Sequence, residues 1–474
     1  VFDLIHAAPY ICSVQQVLKV KATMTQANPA PALDLEDRVG ALIDRARAAG
    51  ADAADASVFG SDQISVGRRM GQIETLERAD SAGVDLRVFV DGQIAQVSGS
   101  DLSDQGLARL AERAVGMARY SPADPFAKLA EPGQVATEWP TLETADPVEP
   151  STDGLLAMAE AMEDAMLSVE GVTNSGGVSA GWTKSSLVMA TTNGFLGSVQ
   201  ATRFGISGSA IAGSGEAQKR DFDYDLAVFA EDLGDPAAVG REAGQRAVSQ
   251  LGARPGETAK VPVIFEPRVA VRMLGLLTGA INGESVVRGT SLLADHVGEL
   301  VISPDLSVHE DPFKARGQGS RPFDGEGLPV QPRAIFENGV LQTHLHNLAT
   351  AAQAGVEPTG HASRAGASIG VGYANLWLSP GSVSVEDMLA AAGEAFYVTS
   401  LMGQGANMIT GDYSQGATGF WVRDGQLAEP VESMTLGGRL QDMWRSMSAA
   451  DDLTFYGGMG TPTVQMDGLT VAGA

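Results

Sequence analysis

Histidine is the first place to look for metal or acid–base chemistry, and this chain has six. His344 and His346 are two residues apart. On a strand both imidazoles would project from one face and could reach a common ion, and His361 is the only later histidine able to complete such a site. The same spacing also suits the polar face of an ordinary hairpin, so both readings stay open. His309-Glu310 opens like a zinc-protease motif, which needs its second histidine one helical turn later. Asp311, Pro312, Phe313 and Lys314 follow instead, and the expectation there is a solvated acidic turn. Asp324 and Glu326 could share general acid–base work. They lie in Phe323-Asp-Gly-Glu-Gly327, in a chain with 58 carboxylates, and a turn is the expected setting. No nucleophile elbow, Walker loop or dinucleotide fingerprint stands in a strand–helix context, and Gly403-Gln404-Gly405 alone specifies no chemistry.

The elements that must hold these residues belong to a chain of 474 residues with a net charge of −26 and 44% apolar residues. That length suits two or three domains with real cores, and the apolar content excludes wholesale disorder. The acidic balance argues against a phosphate-binding surface and so against nucleic acid. No uninterrupted apolar run approaches a membrane span. One cysteine, Cys12, excludes an internal disulfide framework. A soluble, cytoplasmic, multidomain protein is expected. Residues 1–33 read as a tail, and 1–23, which lack a basic secretory start, as an upstream extension or a loose segment.

Periodicity then divides the chain. Asp34–Gly50 has a helical apolar face, and strand-like runs follow at Ala56–Phe59, Gln63–Val66, Gln72–Leu76 and Gly83–Val90, with an Asp91-Gly92 hairpin turn and a helix around Leu107–Met117. This makes an α/β unit over 34–120. Six prolines mark 121–150 as a linker. The middle unit, 151–253, runs from a helix at Ser151–Val169 through strands about Asn193-Gly194 to a helix at Asp235–Leu251. The last unit, 254–474, is rich in hairpin signals at Glu337-Asn338-Gly339 and Asp424-Gly425, with one late helix at Val385–Ala392 capped by Ser384. The fold class is α+β.

The last unit resembles the TldD/PmbA family, once described as modulators of DNA gyrase and now regarded as metalloproteases, in its PmbA (TldE) branch. The likeness is carried by Val261-Pro-Val-Ile-Phe265, Arg321-Pro-Phe-Asp-Gly-Glu-Gly327 and Glu357-Pro-Thr-Gly-His361. Leu401-Met-Gly-Gln-Gly405, Ile409-Thr-Gly-Asp-Tyr-Ser-Gln-Gly416, Gly419-Phe-Trp-Val422 and Asp442-Met-Trp-Arg445 extend it. It reaches more weakly back to about residue 35.

The resemblance implies three regions, the last dominated by strands, and a closed two-subunit particle with an internal cavity. It also implies a TldD-type subunit that binds zinc through a His-Glu-x-x-x-His helix and a late cysteine. In this chain the corresponding helix reads Gly275-Leu-Leu-Thr-Gly-Ala280, with Gly275 and Ala280 at the ligand positions, Leu276 at the base position and the late cysteine near Pro462. None of these binds a metal or accepts a proton. The implied role is a non-catalytic partner that holds no cofactor itself, with zinc in a TldD-type subunit and peptides or unfolded proteins as substrates. The alternatives are a homodimeric peptide-binding scaffold and an autonomous metal hydrolase built on His344, His346 and His361. Met273, Leu274, Leu276 and Leu277, with Gly275 and Gly279, are expected to pack tightly against sheet or partner.

Overall fold

The structure, a computed structural model, describes residues 35–403 and 405–473. The expected tail over 1–33 lies outside them.

The first sheet joins the first and middle units. It is six-stranded in the order β3-β2-β1-β4-β5-β6, all antiparallel. Its strands are β1 (Ala53–Arg69), β2 (Gln72–Val90), β3 (Gln93–Gly99), β4 (Val172–Thr191), β5 (Leu196–Ala212) and β6 (Lys219–Ala227). The four short runs expected before Asp91 are therefore two long strands, joined by Met70-Gly71 at φ 49° and 78°. Gly60, Ser61 and Asp62 interrupt the apolar alternation of β1, but their backbones are paired on both sides, Gly60 with Ala82 and with Ser186. Sheet neighbours carry the strand through a stretch that its own side chains do not specify.

Four helices cover one face of this sheet. Because alternate residues share a face, Ala54, Ala56, Val58, Ile64 and Val66 of β1 all point the same way. The first three pack under α1 (Leu35–Ala49) and α2 (Asp104–Ala118), and the last two under α3 (Thr152–Leu167) and α4 (Pro236–Ser249). Ser103, Ser151 and Asp235 cap α2, α3 and α4 through their side-chain oxygens. Each helix pair has its own apolar cluster. The opposite face presents Asp55, Ser57, Asp85 and Arg87, all buried. Residues 121–150 form no helix or regular strand but lie along the sheet, where Thr202 N–H donates to Thr144 O at 2.9 Å and Trp139 stacks edge-on with Phe323.

The last unit holds two larger sheets and a small hairpin. One is seven-stranded, β17-β20-β7-β14-β15-β16-β21, made of β7 (Val263–Phe265), β14 (Ala395–Met402), β15 (Asp412–Arg423), β16 (Gln426–Arg439), β17 (Ser448–Ala449), β20 (Val464–Met466) and β21 (Thr470–Ala472). The other is six-stranded, β10-β9-β8-β13-β19-β18, made of β8 (Val308–Asp311), β9 (Arg333–Glu337), β10 (Val340–Leu341), β13 (Asn375–Leu378), β18 (Thr454–Tyr456) and β19 (Met459–Thr461). The hairpin pairs β11 (Ala362–Ala365) with β12 (Ser368–Val371). Phe265, Phe336, Phe396 and Trp444 are fully buried between the layers. Asn338-Gly339 and Asp424-Gly425 take positive φ, as their hairpin turns demand. The helix α5 (Pro267–Ala280) packs among these sheets, with Met273, Leu274 and Leu277 buried.

Candidate functional site

Pro267 starts α5 directly after β7, since its missing N–H costs nothing at a first helical position. Residues five apart on a helix are about 140° apart around its axis. Ala280 is accordingly fully buried, whereas a side chain at Gly275 would meet no atom within 4 Å, and Leu276 is half-buried. Glycine and alanine offer no side-chain donor and leucine only carbon, so these three positions do not fit a metal ion. Nor does Pro462 converge with them. Its neighbour Thr461 donates to the Pro267 carbonyl at 2.9 Å, and Gly275 is about 12 Å further along the axis at 1.5 Å per residue. Among the described residues nothing lies within 4 Å of a Cβ at Gly275 or Gly279, so the sheets do not supply the tight packing expected at these two glycines.

The three later histidines do gather, each with partners of its own. His344 and His346 follow β10 on either side of Leu345, which bridges Asn282, and their rings lie 6.0 Å apart. His344 Nε2 meets the Leu293 carbonyl at 2.9 Å, and His346 Nδ1 meets Thr350 Oγ1 at 3.2 Å. His361 is occupied at both nitrogens, by Thr359 Oγ1 at 2.8 Å and by Glu310 Oε2 at 2.7 Å. Thr359 Oγ1 also receives the His346 N–H at 2.7 Å. Glu310, His361, Thr359, His346 and Thr350 thus form one buried hydrogen-bonded chain, joined through the His346 backbone N–H, while the His344 ring bonds the Leu293 carbonyl apart from it. Among the described residues no group of three His, Cys, Asp or Glu side chains could hold a metal ion.

Glu310 corrects one expectation. It is no solvated turn residue but the centre of β8, 3% exposed, and its other oxygen accepts the Ala374 N–H at 2.6 Å. Burial pushes its carboxyl up, and the His361 hydrogen bond and charge outweigh this and hold it below the ordinary range. Burial, with smaller pushes from His344 and His361, takes His346 down to about 4. This cluster holds β8, the loop before β11 and the segment after β10 together. Its imidazoles serve as hydrogen-bonding groups, and His361 has both nitrogens engaged. Gly283 belongs to the same set, because a Cβ there would stand 2.5 Å from both His346 Nδ1 and the Leu345 carbonyl. The alternation Val308-His-Glu-Asp311 was the available signal for a strand with Glu310 inward.

A second buried group ties the sheet's polar face to the last unit. Asp324 and Glu326 do occupy a turn, but a buried one. Asp324 accepts the N–H groups of Glu326 and Leu328, each at 2.9 Å, and of Ala362 at 3.0 Å. Arg87 donates to Asp55 at 2.5 Å and to Glu326 at 3.2 Å, while Arg364 bonds Asp55 and the Gly325 carbonyl. Burial lifts Glu326 to about 7 against the pull of Arg87. Burial also raises Asp55, but Arg364 and Arg87 bring it below its usual value. A third contact, at the start of α5, joins the middle unit, where Arg246 meets both oxygens of Glu266 and Arg268 bonds Asp221. An open cleft of about 440 Å³ lies apart from all three, lined in part by Arg254, Glu257, Trp421, Arg423 and Glu429.

Comparison with known proteins matches this architecture along nearly its whole length. Models of the PmbA/TldA metallopeptidase family match in order, domain 1 over residues 54–118, the central domain over 145–251 and the C-terminal domain over 258–473. Metalloprotease PmbA of Escherichia coli O157:H7 is 33% identical over 441 residues, 93% of this chain and 96% of its own. The Metalloprotease PmbA homolog of Haemophilus influenzae is 33% identical over 443 residues with the same coverage. A proposed modulator of DNA gyrase from Bacteroides thetaiotaomicron superposes with a TM-score of 0.86 at 26% identity, covering 92% of this chain and 98% of that one. TldE from Thermococcus kodakarensis shares the fold, with a TM-score of 0.81 at 22% identity over 92% of this chain and all of that one. With three family domains in sequence order and a third of all positions shared with a full-length relative, this chain belongs to the PmbA/TldA metallopeptidase family.

Proposed function

We propose that this chain is the non-catalytic subunit of a heteromeric, cytoplasmic metalloprotease whose zinc is carried by a TldD-type partner. In this reading it closes the particle around an internal cavity and restricts which peptides and unfolded chains reach the partner's metal. The observation that carries the reading is the donor chemistry of α5, where Gly275, Leu276 and Ala280 stand at the positions a zinc helix would fill. The occupied nitrogens of His361 speak against an autonomous metal site with His344 and His346.

The test is to purify this chain alone and with a TldD-type subunit, without affinity-tag histidines. Metal per chain and hydrolysis of an unstructured peptide are then measured. The chain alone should hold no stoichiometric zinc and cleave nothing, whereas the mixture should elute together and cleave in a chelator-sensitive way. One zinc per chain in the isolated protein, lost in His344→Ala, would overturn the reading. A second reading, a homodimeric peptide-binding scaffold without hydrolysis, is favoured by the exposed stretch of β2 over residues 72–82, which among the described residues pairs with β1 alone. A mixture that never forms a heteromer would select it.

A further inference from the structure

The open cleft lies where residues 252–257, the connection from the middle to the last unit, meet the β15–β16 hairpin, and Arg254 bridges Val431 there. Trp421 is its most buried lining residue. The ring is 2% exposed, tilted against Phe396 at 5.6 Å, with the Arg423 guanidinium 5.0 Å from its centre. An indole Nε1–H can only donate, and this one has no acceptor among the described residues. Gly256 is what leaves it open to the cleft, because a Cβ there would stand 2.8 Å from Nε1. The β15–β16 ladder steps from Phe420 opposite Pro430 to Val422 opposite Leu427, so β16 carries one extra residue over 428–429. Bulges re-aim side chains, and Glu429 of this one lines the cleft.

The charges lining the cleft are balanced, two arginines against two glutamates, and only half used. Arg423 Nη2 donates to Oε1 of Glu257 at 2.9 Å and of Glu429 at 3.4 Å, while Nη1 meets Glu394 at 3.5 Å outside the lining. Sharing one nitrogen keeps the two carboxylates within reach of a single ammonium. Among the described residues the second oxygen of each has no donor, and the Arg254 guanidinium has no carboxylate, in a chain with 58 acids to 32 bases. Pro255 and Pro430 each remove a backbone donor from the lining, so an extended polypeptide finds no ladder to join.

We propose that this cleft binds a small zwitterion, an α-amino acid or a dipeptide. The ligand carboxylate sits on Arg254 and the Trp421 N–H, and its ammonium sits between Glu257 and Glu429. An anion alone would face both glutamates, and a cation alone both arginines. Arg423 is already satisfied and holds the two glutamates in place. A volume of about 440 Å³ is at the small end of ligand pockets, which suits one or two residues rather than a longer chain. None of the lining residues belongs to α5, so the proposal goes beyond the heteromer reading and does not depend on it.

The test is isothermal titration calorimetry on the full chain with four probes, leucine, dialanine, N-acetyl-dialanine and dialanine amide. Leucine or dialanine should bind saturably at one site, and the tighter of the two identifies the source. Blocking the ammonium by acetylation, or the carboxylate by amidation, should each weaken binding about tenfold or more. Arg254→Met and Glu429→Gln, both at exposed positions, should weaken it to a similar extent, and Trp421→Phe should do so while keeping a ring in place. No saturable binding of either zwitterion overturns the proposal. So does binding that survives both Arg254→Met and Glu429→Gln, and so does equal binding of the blocked analogues, which would mark a site for one charge only. Should Trp421→Phe fail to fold, the two exposed variants decide alone.

Discussion

Glu326→Gln sets burial against ion pairing within the group that joins the first sheet to the last unit. Asp55, Asp85, Asp324 and Glu326 face three guanidiniums, those of Arg87, Arg364 and Arg321, so acids outnumber bases. Burial raises Asp85, Asp324 and Glu326 alike, and lifts Glu326 from 4.5 to about 7. Below pH 4.5 the folded and unfolded chains both hold it, and the residue makes no difference to stability. As pH rises toward 7 the unfolded chain ionises first, so the fold loses about 1.36 kcal/mol per pH unit, roughly 3 kcal/mol in all. Glutamine has the same shape, keeps an oxygen for the Leu348 N–H, which donates to Glu326 at 2.9 Å, and does not ionise. Between pH 5 and pH 8 the variant should therefore gain about 2.5 kcal/mol on the wild type. Urea unfolding at both pH values, followed by tryptophan fluorescence, measures the difference. Parallel profiles would refute the reasoning. A variant that loses ground with rising pH would show that the pair with Arg87 at 3.2 Å outweighs burial.

Four further outcomes follow from the same geometry. Glu310→Ala leaves His361 buried without its carboxylate and should cost about 3 kcal/mol in urea unfolding, with Glu310→Gln costing less. His346, held down to about 4, should stay neutral in imidazole nitrogen NMR spectra from pH 8 to 5, and its contribution to stability should fade as pH falls from about 6.5 toward 4. A midpoint near 6.5 in the folded protein would contradict its burial. Gly283→Ala drives a methyl to within 2.5 Å of His346 and the Leu345 carbonyl, and should lower stability by about 2 kcal/mol in a thermal melt. Trp139→Ala removes the ring that packs on Phe195 and Phe323, so limited proteolysis should cut faster within residues 121–150 while the helices stay resistant.

Local chemistry made the helices and turns readable. Ser103, Ser151 and Asp235 are cap residues before apolar periodicity, and Asp91-Gly92, Asn338-Gly339 and Asp424-Gly425 turn where their type allows positive φ. Met70-Gly71 was not readable as a turn, because methionine carries no preference for that conformation. The pairing of β1 with β4 joins residues more than a hundred positions apart, and no local periodicity encodes it. Glu310 was misplaced for a related reason. An acid two residues before Pro312 reads as solvent-facing until the fold supplies His361 from another segment. His344, His346 and His361 were found by spacing alone, but spacing could not show that hydroxyls, a carbonyl and Glu310 already occupy them.

The four helices on one face of a shared sheet have a mechanical consequence. β1 spans about 55 Å at 3.3 Å per residue, and it carries α1 and α2 at one end and α3 and α4 at the other. The two units cannot swing about residues 121–150 without shearing the β1–β4 ladder, so they move as one stiff beam. Its contacts with the last unit include ion pairs at separate places, Arg87 and Asp55 with Glu326 at one, Arg268 and Arg246 with Asp221 and Glu266 at the other. Loosening one set while the other holds would turn the beam about the intact set, and the Met70-Gly71 tip, whose N–H groups donate to Glu163 of α3 at 2.7 and 2.9 Å, would be carried with it.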